Sequence, residues 1–206
     1  LAELAGWQDG KDCICSLLGP AIPGRWISDS SMPINEEAAP RQWVCEGVQF
    51  GRFTDRARKV MLIAENYARK INHEYVGCEH ILYGLLIEPG GVAGHVLESF
   101  APRRAYQNVL GGLLQVGPSL VTGLKSSLTP RAKTALKGAQ DWAVKLGHGC
   151  VGTEHILLGL LDCENVGTVA VIKVGAGLEQ MRERVLGLLG LHSTAPEIST
   201  SPISPL

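Results

Sequence analysis

The sequence predicts an all-α protein of two four-helix units packed about a pseudo-twofold axis. Three observations lead there. Residues 54–86 and 129–161 align without a gap, and about half of the aligned positions are identical; such self-similarity marks a repeated supersecondary unit. Within each copy, small and apolar residues recur at steps of three and four, the period of a helix with one buried face. Aromatic residues make up only 5% of a chain whose hydrophobic set is 45%. The core must therefore be built from Leu, Val, Ile and Ala, which suits closely packed helices.

The first helix of each copy starts after a threonine. Thr54 and Thr129 offer hydroxyls to the free amides of the first turn. Pro130 takes the first helical position, where its missing N–H costs nothing. The buried stripe reads Ala57, Val60, Met61, Ala64, Tyr67, Ala68 and Ile71 in copy one. It reads Ala132, Ala135, Leu136, Ala139, Trp142, Ala143 and Leu146 in copy two. Asn72 and Gly147 suit the left-handed residue that ends a helix.

The second helix carries the most similar block, "VGCEHILYGLL" at 76–86 and "VGTEHILLGLL" at 151–161. Gly77 and Gly152 mark the turn into it. Thr153 is expected to cap the second copy, and Cys78 is a poorer cap in the first. Glu79 and Glu154 then fall in the first turn, where a carboxylate complements the helix dipole. Gly84 and Gly159 would let another helix come close. Short loops lead to a third helix, from Val92 to Phe100 and from Val166 to Val174. A fourth spans about 103–114 and 178–189.

Domain boundaries follow from composition. Repeat 1 occupies about 50–114, a Gly/Ser-bearing linker 115–127, and repeat 2 about 128–191. The Ser/Thr/Pro-rich tail, 192–206, is expected to be disordered. Residues 1–49 hold three of the four Trp and three of the six Cys, with no recognisable motif.

Charge and cysteine usage exclude several classes. The net charge is −1, and no basic stripe suits a phosphate backbone, so nucleic acid is not an expected partner. No apolar run reaches the roughly 18–20 residues of a membrane span. The first residues lack the basic, apolar and small-residue order of a secretory signal. Cys13, Cys15, Cys45, Cys78, Cys150 and Cys163 form no CxxC pair. Reduced thiols and a cytoplasmic location are expected.

The paired motifs carry a resemblance. "FGRFTDRARKVMLIAENYARKINHEYVGCEHILYGLL" and "LTPRAKTALKGAQDWAVKLGHGCVGTEHILLGLL" resemble the double Clp N-terminal repeat domain. That domain stands at the front of ClpC-type Hsp100 unfoldases. The resemblance covers about 50–191. It implies a non-catalytic module that receives substrate polypeptides and adaptor proteins for a Clp-type ATPase or protease complex. It leaves open a second role, a stand-alone regulator of a Clp complex with no substrate site. No GxxxxGK[ST] phosphate loop occurs in the chain, so ATP hydrolysis by that route is not expected, and neither is a cofactor.

Four readings of the Glu-His pairs compete. A zinc hydrolase needs two histidines one turn apart on one helix; here each helix offers one, and adjacent positions point about 100° apart, the angular step of 3.6 residues per turn. A Cys78 nucleophile at a helix N-terminus has a chemical basis, but copy two has Thr153 in its place. In a structural reading, His80, His155, His73 and His148 fill half-buried positions with ring nitrogens satisfied by backbone. The fourth reading comes from the resemblance, which implies that Glu79 and Glu154 help form surface sites for phosphorylated arginine or a basic side chain. Cys78 and Thr153 flank those sites. A carboxylate can pair with a guanidinium, and free amides at a helix start suit a phosphate.

Overall fold

The computed structural model describes residues 48–117 and 128–190. Nearly all of the N-terminal extension, residues 118–127 of the linker and the whole C-terminal tail lie outside the described residues. After a 3-10 turn at Phe50–Arg52, repeat 1 contains α1 (Asp55–Lys70), α2 (Cys78–Ile87), α3 (Val92–Phe100) and α4 (Arg103–Leu113). Repeat 2 contains α5 (Pro130–Lys145), α6 (Thr153–Leu161), α7 (Val166–Lys173) and α8 (Leu178–Leu188). The all-α expectation holds, with fourth helices one residue shorter than anticipated.

Local rules set the first helices. Thr54 and Thr129 sit in extended conformation and accept the N–H of Ala57 and Ala132, each at 3.2 Å. Asn72 (φ 56°) and Gly147 (φ 69°) adopt the left-handed conformation beyond the helix ends. Alanine supplies half of the buried residues of α1 and four of the five of α5, so α2 and α6 approach very closely. A Cβ on Gly84 would lie 2.5 Å from the carbonyl oxygen of Val60, and one on Gly159 only 2.2 Å from that of Ala135.

α2 and α6 are buried almost all round, which makes them the central layer. α1 and α5 cover them from outside. The third helices cross over: α3 packs on α6 and α8, while α7 packs on α2 and α4. This reciprocity is the pseudo-twofold relation.

Two short parallel bridges clasp the repeats. Phe53, before α1, pairs with Val151, before α6; Leu128, before α5, pairs with Val76, before α2. Thr54 N–H donates to Val151 O at 2.9 Å, and Thr129 N–H to Val76 O at 3.0 Å. Each repeat thus secures the turn that opens the other's central helix. Among the described residues no single helix is long and apolar enough to cross a membrane.

Candidate functional site

The Glu-His pairs open α2 and α6. Gly77 and Gly152 are the N-cap residues, both extended. His80 and His155 occupy the third helical position. Their Nδ1 atoms accept the N–H of Gly77 at 2.9 Å and of Gly152 at 2.8 Å. An imidazole that accepts at Nδ1 carries its proton on Nε2 when neutral. In copy one that proton goes to His73 Nδ1 at 3.0 Å, so His73 donates its own Nε2–H to the carbonyl of Gln115 at 2.8 Å. In copy two His155 donates to His148 Nδ1 at 2.8 Å.

These contacts revise the structural reading of the histidines. His80 and His155 are fully buried, at 1% exposure, and only one nitrogen of each meets backbone. The other meets a second histidine. The cap assignment also changes. Thr153 and Cys78 are the first helical residues, not the caps: Gly152 and Gly77 hold the N-cap positions, and the histidine at the third helical position accepts the N-cap N–H, the part a Glu or Gln plays in a capping box. Thr153 Oγ1 instead accepts the N–H of Ala93 in α3 and donates to Glu154 Oε2, both at 3.4 Å.

Glu79 and Glu154 fold back over their own helix starts. Their Oε1 atoms lie 3.3 Å and 3.2 Å from Nδ1 of the adjacent histidine. A Cβ on Gly77 or Gly152 would stand 2.2 Å from that oxygen, so the bare N-cap makes room for the carboxylate. The divergence expected of adjacent helix positions is therefore undone by the side chains. Each carboxylate stays 16–17% exposed on a helix that is otherwise nearly all buried.

The same convergence bears on metal binding. His73, Glu79 and His80 bring three potential ligand atoms within 4.8 Å of one another, as do His148, Glu154 and His155. In the first trio, however, all four ring nitrogens are already committed to hydrogen bonds, which leaves a metal no free imidazole lone pair. Burial, then the His73 ring, push His80 down to about 3, against the Gly77 amide. His155 is lowered mainly by burial. Burial pushes the Cys78 thiol up to about 12, with Cys163 adding to it, so the thiolate a nucleophile requires is scarce. Cys78, Cys150 and Cys163 are free thiols.

Sequence reasoning missed two polar residues beside these helix starts. Asn165 caps α7: its Oδ1 accepts Thr168 N–H at 3.0 Å, and its Nδ2 donates to Leu160 O at 2.8 Å and Cys163 O at 2.7 Å. An Asn directly before an apolar helical run is a cap signal that could have revealed it. Glu88, after α2, is 4% exposed, and its Oε2 has no hydrogen-bond partner. A glutamate in a turn reads as solvated, and nothing in the sequence signals otherwise.

Comparison with known proteins agrees with this architecture. The chain matches the family described as "Clp repeat (R) N-terminal domain" over residues 52–173 and 127–205. It is 41% identical over 149 residues to the chaperone protein ClpB of Oceanobacillus iheyensis. It is 39% identical over 149 residues to the negative regulator of genetic competence ClpC/MecB of Bacillus subtilis. Each match covers 71% of this chain but only 18% of the relative. Among solved structures, the N-terminal domain of ClpD from Arabidopsis thaliana superposes with a TM-score of 0.58 at 18% identity, covering 68% of this chain and 99% of that one. The Hsp104 N-terminal domain from Candida albicans gives 0.56 at 17% identity, covering 68% and 93%. These two likenesses concern the fold alone. The duplicated helices, the crossed packing and the family match lead to one conclusion: the chain belongs to the Clp repeat N-terminal domain family.

Proposed function

We propose that this chain is a non-catalytic recognition module that receives substrate polypeptides or adaptor proteins for a Clp-type ATPase or protease complex. The observation that carries this reading is the placement of Glu79 and Glu154. Each keeps a partly exposed carboxylate at the start of a helix whose remaining residues are almost all buried. A carboxylate in that position can pair with a guanidinium, while the free amides of the first turn can donate to a phosphate. Phosphoarginine, or a basic side chain of a substrate, has that chemistry. Thr153 flanks the second site with a hydroxyl; Cys78 gives the first site a buried thiol instead.

Isothermal titration of the full chain with phosphoarginine tests the reading. Binding is expected, weakened about tenfold or more by Glu154→Ala, the loss typical of a hydrogen bond to a charged group. Absence of binding by the unaltered chain overturns the ligand assignment.

A further inference from the structure

The third and fourth helices form two pseudo-equivalent pairs, α7 on α4 and α3 on α8. Counted from the N-caps, their buried positions correspond. Val96 and Leu97 of α3 match Ala170 and Val171 of α7, and Tyr106 and Leu110 of α4 match Met181 and Val185 of α8. The outward positions do not correspond. Where α3 carries exposed His95 and Glu98, α7 carries Val169, 43% exposed, and Ile172, 57% exposed. Where α8 carries exposed Glu179, Glu183 and Arg184, α4 carries Arg104, Asn108 and half-buried Val109. The polar pair shows that this packing does not require apolar residues on the outside. Val and Ile are also poorer helix formers than most residues, so at exposed positions of α7 they add a small cost that packing does not offset.

Charge separates the two pairs as well. Neither α4 nor α7 contains a carboxylate, whereas α3 contributes Glu98, and α8 contributes Glu179 and Glu183. Arg103 is paired with Glu98 at 2.6 Å. Arg104 and Lys173 are exposed and pair with no carboxylate among the described residues. We infer that the α4–α7 face is a docking surface for an acidic, amphipathic segment of a partner polypeptide. The apolar side of that segment covers Val169 and Ile172, and its carboxylates meet Arg104 and Lys173. This face is separate from the Glu79 and Glu154 carboxylates and takes the opposite ligand charge. An anionic bilayer fits less well, because such surfaces draw on clusters of about four to eight cations, and α4 and α7 offer two unpaired ones.

Fluorescence anisotropy on the full chain tests this, with a labelled helical peptide that carries Leu on one face and Glu on the other as the probe. Binding is expected, with hydrogen-exchange protection in α4 and α7. Val169→His with Ile172→Glu installs the residue types of the matching α3 positions and should weaken binding about tenfold or more. Arg104→Glu with Lys173→Glu should weaken it by a similar factor and shift preference to a peptide with Lys in place of Glu. Thermal unfolding verifies that both variants are folded. No binding by the unaltered chain, or unaltered affinity in either variant, overturns the proposal. So does sedimentation of the chain with phosphatidylserine vesicles, which assigns the face to a membrane. Self-association that Val169→His with Ile172→Glu abolishes assigns it to a second copy and likewise overturns the proposal.

Discussion

His80 holds its ring nitrogen 3.0 Å from that of His73, and the bond runs in one direction, from His80 Nε2–H to His73 Nδ1. The Gly77 amide imposes that direction by occupying Nδ1 of His80. A proton added to His80 would turn Nδ1 from acceptor to donor and set it against the Gly77 N–H. The helix start is thus built for a neutral imidazole.

Stability should fall as pH drops below neutrality. His80 titrates at about 3 in the folded chain against 6.5 in the unfolded one, and His155 is lowered in the same direction. Below pH 6.5 the unfolded chain takes up protons that the folded chain refuses. Each such histidine then removes about 1.4 kcal/mol per pH unit until its folded value is reached. Urea unfolding between about pH 7.5 and 5.5, above the range of ordinary carboxylates, should show this slope. His80→Asn should flatten it, and an unchanged slope in that variant would contradict the assignment.

Glycines within the helices should respond to alanine with opposite signs. Gly84→Ala and Gly159→Ala press a Cβ against backbone of the neighbouring helix, and each should lose about 2–3 kcal/mol by overpacking. Gly112, in α4, has nothing within 4 Å of its Cβ position. Gly112→Ala should gain about 0.5–1 kcal/mol from helix propensity. Chemical denaturation of the three variants checks the contrast.

Asn165→Ala should be more costly than an ordinary cap deletion. The substitution removes the acceptor for Thr168 N–H and leaves Leu160 O and Cys163 O without that donor. The expected loss is about 2 kcal/mol, the upper end for caps, read as a lower denaturation midpoint.

The two repeats should unfold as one unit. Phe53 is 2% exposed and belongs to repeat 1, yet it bridges to Val151 of repeat 2. Phe53→Ala should cost about 3–5 kcal/mol and shift a single transition. Two separable transitions in calorimetry would show that the clasp does not couple the halves.

Much of this fold was legible because it follows local rules. The Thr54 and Thr129 caps, the left-handed Asn72 and Gly147, and the alanine faces of α1 and α5 all depend on neighbours within a turn or two. The site was half legible. Glu79 and Glu154 could be placed at helix starts, but the N-cap falls on Gly152 and a histidine stands where a capping box usually has Glu or Gln, so Thr153 was misassigned. Glu88 and the crossed bridges were not legible at all. They arise where segments far apart in sequence meet, and two-residue bridges leave no periodic pattern.

The clasp also divides the chain into what can drift and what cannot. Val76 and Val151 bridge to the opposite repeat, and the Gly, Glu and His that follow are the same in both halves. A change in one of those positions disturbs both repeats together, so neither copy can alter its frame alone. Cys78 against Thr153, and Gly91 against Asn165, stand where the frame does not dictate identity. Duplication here produced twin scaffolds bound to each other's upkeep, whose helix starts differ at Cys78 and Thr153.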